Sequence, residues 1–144
     1  MAGSRHDWWM IGSAAVALYL DRPIDVADID ILAHPDDAAA VLSGASFVAG
    51  PDPNERFRSA VFGRIGLRQP AIEVMAGLGV RTSGGWQAVR PRTRQWQAAG
   101  RTMVPVPAAW ELRAILLLFD RPKDRARAAL LDASLDPGAW QAGQ

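Results

Sequence analysis

The chain reads as an α/β (α+β) protein: a mixed β-sheet flanked by helices, with further helices at the C-terminus. Three observations predict this. Short apolar runs of strand character alternate with helix-forming runs over the first 43 residues. From residue 56 to 106, strand-like runs follow one another, punctuated by glycine and proline. From residue 108 onward, leucines and other apolar residues recur at helical spacing. At 144 residues, 49% hydrophobic and 22% charged, residues 1–144 are expected to make a single domain with an ordinary core.

In order, residues 8–11 (WWMI) suit a short buried strand that feeds Gly12 and Ser13. Residues 13–22 are rich in helix formers, and Ser13 is the expected N-cap. Pro23 breaks that run. Residues 26–33 read as the second strand. His34, Pro35, Asp36 and Asp37 then look like a helix start, with proline in first position and acids in the first turn, running to about Ser43 and stopping at Gly44. Residues 50–55 are a loop. Residues 56–67 suit a strand of open register, and residues 71–75 (AIEVM) a clearer one. Residues 77–85 read as a glycine-rich connection. Residues 86–89 and 93–106 suggest more strands, with Gly100 near a turn and Pro105 and Pro107 ending them. Residues 108–119 are helical, with Trp110, Leu112, Ile115, Leu116 and Phe119 facing a core. Residues 120–124 interrupt, and residues 126–133 form the last helix.

The chemistry concentrates near the start. Asp28 and Asp30 stand two apart, so on a strand their carboxylates leave the same face. Such a pair suits Mg²⁺, which takes oxygen ligands and bridges carboxylates to substrate phosphates. Gly12 and Ser13 at a helix N-terminus would offer free N–H groups to phosphate. Nine helical steps carry the chain roughly 14 Å from Ser13. Four strand steps bring it roughly 13 Å back. The carboxylates and the Gly-Ser turn are therefore expected to converge.

The remaining composition is restrictive. Net charge is +1, which argues against a strong polyelectrolyte partner, and the fifteen arginines against the lone Lys123 read as coding bias. No cysteine is present, which excludes disulfides, thiolate metal sites and cysteine nucleophiles. His6 and His34 look isolated, and the six tryptophans look like core or edge-of-core residues. The apolar stretch at 8–20 is too short to span a bilayer, so a cytoplasmic protein is expected.

These residues resemble the nucleotidyltransferase superfamily that includes DNA polymerase beta. That superfamily is marked by a Gly-Gly or Gly-Ser turn, a helix, Asp-x-Asp on the next strand and a third carboxylate later. Gly12-Ser13 and Asp28/Asp30 match, and Glu73 in AIEVM is the candidate third acid. The run VPVPAAWELRAILLLFDRPKDRARAALL is similar to the small bacterial branch. That branch includes aminoglycoside and lincosamide nucleotidyltransferases and the nucleotidyltransferase toxins of abortive-infection systems. Arg121, Lys123 and Asp124 fill its Arg-x-Lys-Asp segment.

The resemblance implies a mixed-sheet nucleotidyltransferase fold and a metal-dependent enzyme. Asp28, Asp30 and Glu73 would be catalytic and hold two Mg²⁺ ions, while Gly12, Ser13, Arg121 and Lys123 would contact a nucleoside triphosphate, taken to be ATP. Glu73 would also help deprotonate an acceptor hydroxyl on a small molecule, an RNA end or a protein, with pyrophosphate leaving. No lysine lies between Ala108 and Asp120, where the small bacterial members usually carry one. This motivates the alternative of a catalytically degenerate nucleotide-binding protein or a toxin–antitoxin-type partner, alone or as a homo-oligomer. A phosphatase using the first aspartate is weaker, because Leu32 stands where that chemistry usually has a small hydroxylated residue.

Overall fold

The computed structural model describes residues 4–43, 47–49, 56–66 and 69–135, with backbone alone for 47–49. The loop expected at 50–55 and the stop at Gly44 lie outside the described residues. In chain order the elements are β1 (Trp9–Ile11), α1 (Gly12–Tyr19), β2 (Asp28–Leu32), α2 (Pro35–Leu42), β3 (Phe47–Ala49), β4 (Phe57–Arg58) and β5 (Val61–Ile65). They continue with β6 (Ala71–Ala76), β7 (Gly79–Thr82), β8 (Gly85–Ala88), β9 (Gln95–Ala99), β10 (Thr102–Val106), α3 (Ala109–Phe119) and α4 (Pro122–Ser134). The chain forms two compact units: Met1–Trp8 with Ala27–Arg90, and Trp9–Val26 with Pro91–Gln144.

The first unit holds a mixed sheet in the order β2-β6-β5-β3. β2 and β6 are parallel, while β5 is antiparallel to both β6 and β3. Helix α2 covers one face by packing on β5 and β6. Gly63 on β5 makes the close approach possible: a Cβ there would stand 2.6 Å from Leu42 Cδ2. Leu42, Val74 and Ala38 are buried in this layer.

The start of α2 follows its sequence signals. His34 is the N-cap, its Nδ1 accepting the Asp36 N–H at 3.1 Å, and Pro35 takes the first turn, where its missing N–H costs nothing. Asp37 is buried and accepts the backbone N–H groups of Arg5 at 3.0 Å and His6 at 2.9 Å. These bonds, the Arg5 one first, hold its carboxyl below the usual carboxylate range. The two histidines are not isolated as the sequence suggests: their rings stack at 3.7 Å, and His6 Nδ1 stands 3.3 Å from Asp37.

A second, three-stranded sheet in this unit runs β4-β7-β8, all antiparallel. Two expectations are corrected here. The single strand expected at 56–67 is two strands in different sheets, separated at Ser59 and Ala60. The glycine-rich connection at 77–85 contains β7, whose Val80 is fully buried. Glycine frequency masked a strand: Gly79 opens β7 in the extended conformation and pairs with Arg58 and Ala88.

In the second unit, β1 packs on β10, and α1 on α3, α4 and β9. β9 and β10 form an antiparallel hairpin that turns at Gly100, φ +63°. Ile11, Val16, Val106, Leu112, Leu116 and Leu131 are nearly or wholly buried. Each such side chain stabilises the fold by about 1.5–3 kcal/mol relative to exposure. Asp120 ends α3 in the left-handed conformation, and α4 begins at Pro122 rather than at residue 126. Arg121 and Asp124 form a capping box there, so Lys123 and Asp124 belong to the first helical turn, not to an interruption. Asp124 is buried under the Arg121 guanidinium, Nε to Oδ2 at 2.6 Å and Nη2 to Oδ1 at 3.1 Å.

Candidate functional site

The face of the mixed sheet opposite α2 carries the acids. Side chains of register partners leave the same side of a sheet. Asp30 is the partner of Glu73, and Glu73 of Arg64, so Asp30, Glu73 and Arg64 form one row across three strands. Asp28, two residues before Asp30, is on the same face. The three acids therefore share one surface. Among the described residues, however, no group of three or more His, Asp or Glu side chains is close enough to hold a metal ion.

Arg64 sits among these acids. Its Nη2 donates to Glu73 Oε1 at 2.5 Å, with Glu73 largely covered and Arg64 half-exposed. The Glu73 hydrogen bond and charge, with a smaller contribution from Asp28, raise the Arg64 pKa above its ordinary value. The sequence reading missed this arginine. Its signal was available only with the register, since Arg64 and Glu73 lie nine residues apart on neighbouring strands.

In the second unit, Gly12 opens α1 at φ +70°, a conformation that disfavours a side chain. The N-cap of α1 is Ile11, with no side-chain cap, so Ser13 is not the cap and stands one position inside the helix. The helix ends at Tyr19, three residues earlier than expected, and the spacing arithmetic loses its basis because Leu20 to Ala27 is not helical. Ser13 instead accepts a hydrogen bond from Arg127 Nε at 3.2 Å, while Arg127 Nη2 donates to the Asp25 carbonyl at 2.7 Å. Arg127 lies one turn beyond the exposed Lys123 on α4, so the two share a helix face. That spacing was the overlooked signal. Arg121 is committed to Asp124 by the capping box.

The solved structures similar to this chain share its fold. A candidate nucleotidyltransferase from Thermotoga maritima matches over 92% of this chain and 86% of its own, with TM-score 0.64 and 23% identity. The antibiotic-resistance factor ANT(2'')-Ia matches over 94% and 78%, with TM-score 0.58 and 13% identity. The lincosamide adenylyltransferase LnuA, solved with lincomycin bound, matches over 88% and 86%, with TM-score 0.54 and 12% identity. No protein-family model and no curated protein sequence matches the chain. The chain thus has the nucleotidyltransferase fold. Among the described residues no helix is long and apolar enough to cross a membrane.

Proposed function

We propose that the protein transfers a nucleoside monophosphate from a nucleoside triphosphate, ATP in the simplest case, to an acceptor hydroxyl. The observation that supports this most is the placement of Asp28, Asp30 and Glu73 on one face of a sheet whose fold is that of nucleotidyltransferases. Two carboxylates at i and i+2 fit Mg²⁺, which completes its shell with water and substrate phosphates. When bound, the metal would neutralise charge developing on the triphosphate. Asp28 and Asp30 would hold it.

Glu73 would join them once Arg64 lets go of its carboxylate. The released guanidinium would then meet the anionic substrate, a charge-assisted contact. Gly12 and Ser13 would offer backbone N–H groups to the terminal phosphates, and Lys123 would add a cation. The acceptor oxygen would attack the α-phosphorus, its proton passing to Glu73, while the bond to pyrophosphate breaks.

The small-molecule acceptors of the similar antibiotic-modifying enzymes make aminoglycosides and lincosamides the first acceptors to try. α-Labelled ATP, Mg²⁺ and each acceptor should give labelled product and equimolar pyrophosphate. Asp28→Asn with Asp30→Asn should abolish both, at least a hundredfold, while leaving the circular dichroism spectrum unchanged. Undiminished turnover in the double variant would refute the assignment.

The Arg64–Glu73 pair favours one alternative, a degenerate member that binds nucleotide without turnover, alone or as a toxin–antitoxin-type partner. Calorimetric ATP binding with no pyrophosphate released from any acceptor pool would select it. Arg64→Ala would then be the variant to test for recovered activity.

A further inference from the structure

The near-neutral net charge conceals a strong local excess. Residues 56–110 contain nine arginines and a single acid, Glu73, which is already paired with Arg64. Within this stretch the β4-β7-β8 sheet shows two different faces. Register puts Val80, fully buried, on the inner face with Phe57 and Gln87. The outer face carries Arg58, Gly79, Arg81, Trp86 and Ala88.

The two arginines and the tryptophan form one cluster. The Arg58 guanidinium carbon lies 4.4 Å from the Trp86 ring centroid, and that of Arg81 5.6 Å. Arg81 is the direct cross-strand partner of Trp86. Arg58 reaches the ring across Gly79, its Cγ and Nε 3.5 Å from where a Cβ would stand. The indole is 37% exposed despite its size, and both arginines are exposed. No acidic residue lies on β4, β7 or β8. β8 is an edge strand of this sheet, and all four of its residues are exposed.

We propose that this outer face binds single-stranded nucleic acid. A guanidinium pair on strands that carry no acid suits phosphates, and an exposed ring beside it suits a base, which can stack on either an indole or a guanidinium plane. An acidic peptide would use the charge but leave the ring unused, so the combination favours nucleic acid. The second unit shows the same kind of pairing, with Arg94 lying 4.9 Å from the half-exposed Trp96 ring. The proposal stands whether or not the nucleotidyl-transfer reading holds, because it invokes none of Asp28, Asp30, Glu73 or Ser13.

Fluorescence anisotropy with labelled oligo(U) and oligo(dT) of about twelve nucleotides, a length within the range one such surface covers, tests it. Wild type should bind at low salt and lose affinity as salt rises. Arg58→Gln with Arg81→Gln should flatten the slope of log K against log salt by about 1.4, the release expected from two phosphate contacts on a single strand. Trp86→Ala should weaken binding by roughly five- to a hundredfold at unchanged slope. Trp86→Phe keeps an aromatic plane and should restore most of the affinity, which separates stacking from damage to the strand. The proposal fails if wild type does not bind at low salt, or if Trp86→Ala binds as tightly as Trp86→Phe. It fails equally if polyglutamate of matched charge displaces the probe as well as an unlabelled oligonucleotide does, which would mark an acidic-protein surface.

Discussion

Two side chains of the second unit make the energetics of single residues testable. Tyr19, the only tyrosine, donates its O–H to the Pro107 carbonyl at 2.6 Å and stands 3.0 Å from the Gln95 amide oxygen. Burial pushes its pKa from 10.0 up to about 12. The fold therefore stabilises the neutral phenol. That contribution is whole below pH 10 and is lost as pH rises through about 12. Tyrosinate absorbance, followed at 295 nm as is usual for phenolates (about 10 being the free value), should titrate with a midpoint near 12, and a midpoint near the free value would show an unburied ring. Glu111 is buried and accepts the N–H groups of Arg92 and Thr93 and the Thr93 hydroxyl at 2.6–3.0 Å. Glu111→Ala orphans those donors and should cost about 3 kcal/mol, lowering Tm by roughly 6–12 °C in a thermal melt. Asp28 and Asp30 were legible because their shared face follows from a local period of two. Glu111, Arg64 and Arg127 were not, because each acts on a partner 9 to 114 residues away that no local pattern reveals.

The elements were legible where a capping residue marks the start, as at α2, or apolar spacing marks a core face, as at α3, and obscured where glycine lies within a strand, as at β7. Serine chemistry misled at α1, since a good capping residue beside Gly12 was read as the cap although the N-cap is Ile11, two residues earlier. The start of α4 was placed four residues late, since Pro122 itself opens the helix. Gly63 shows the packing use of glycine. Gly63→Ala would place a methyl 2.6 Å from Leu42 Cδ2, in a layer where Leu42 is buried. Such overpacking should cost about 1–3 kcal/mol. Leu42→Ala should cost about 2–5 kcal/mol through the cavity it leaves. The new methyl partly fills that cavity, so the double variant should be more stable than the sum of the two losses by about 1 kcal/mol or more. Urea denaturation of the four proteins measures the coupling, and strict additivity would mean that α2 does not rest on β5 as described.

For the whole chain, the fold class followed from the order of elements, whereas the division into two units and three sheets rests on pairings between distant segments. Net charge is silent on distribution: a sum of +1 says nothing of where the arginines lie. The nucleotide reading has a consequence at this scale that requires no acceptor. A ligand that binds only the folded state stabilises it by RT ln(1 + [L]/Kd), about 2.7 kcal/mol at a hundredfold excess over Kd. For a chain of this size that corresponds to a rise in Tm of roughly 5–10 °C with Mg²⁺ and ATP together. Mg²⁺ alone or ATP alone should do much less, because carboxylates at Asp28 and Asp30 repel an uncompensated triphosphate and the metal lacks its phosphate ligands. Asp28→Asn with Asp30→Asn should remove the metal-dependent part of the shift. Lys123→Ala should reduce it by an amount equivalent to a ten- to a hundredfold loss of affinity, the worth of one charge-assisted contact of about 1.5–3 kcal/mol. Lys123 is exposed in the first turn of α4, so its removal should leave the melting temperature of the free protein unchanged. A shift that survives in the double aspartate variant would place the nucleotide away from the acidic face. A shift unchanged in Lys123→Ala, with the aspartates still required, would leave the metal assignment standing and reduce Lys123 to a solvated helix residue.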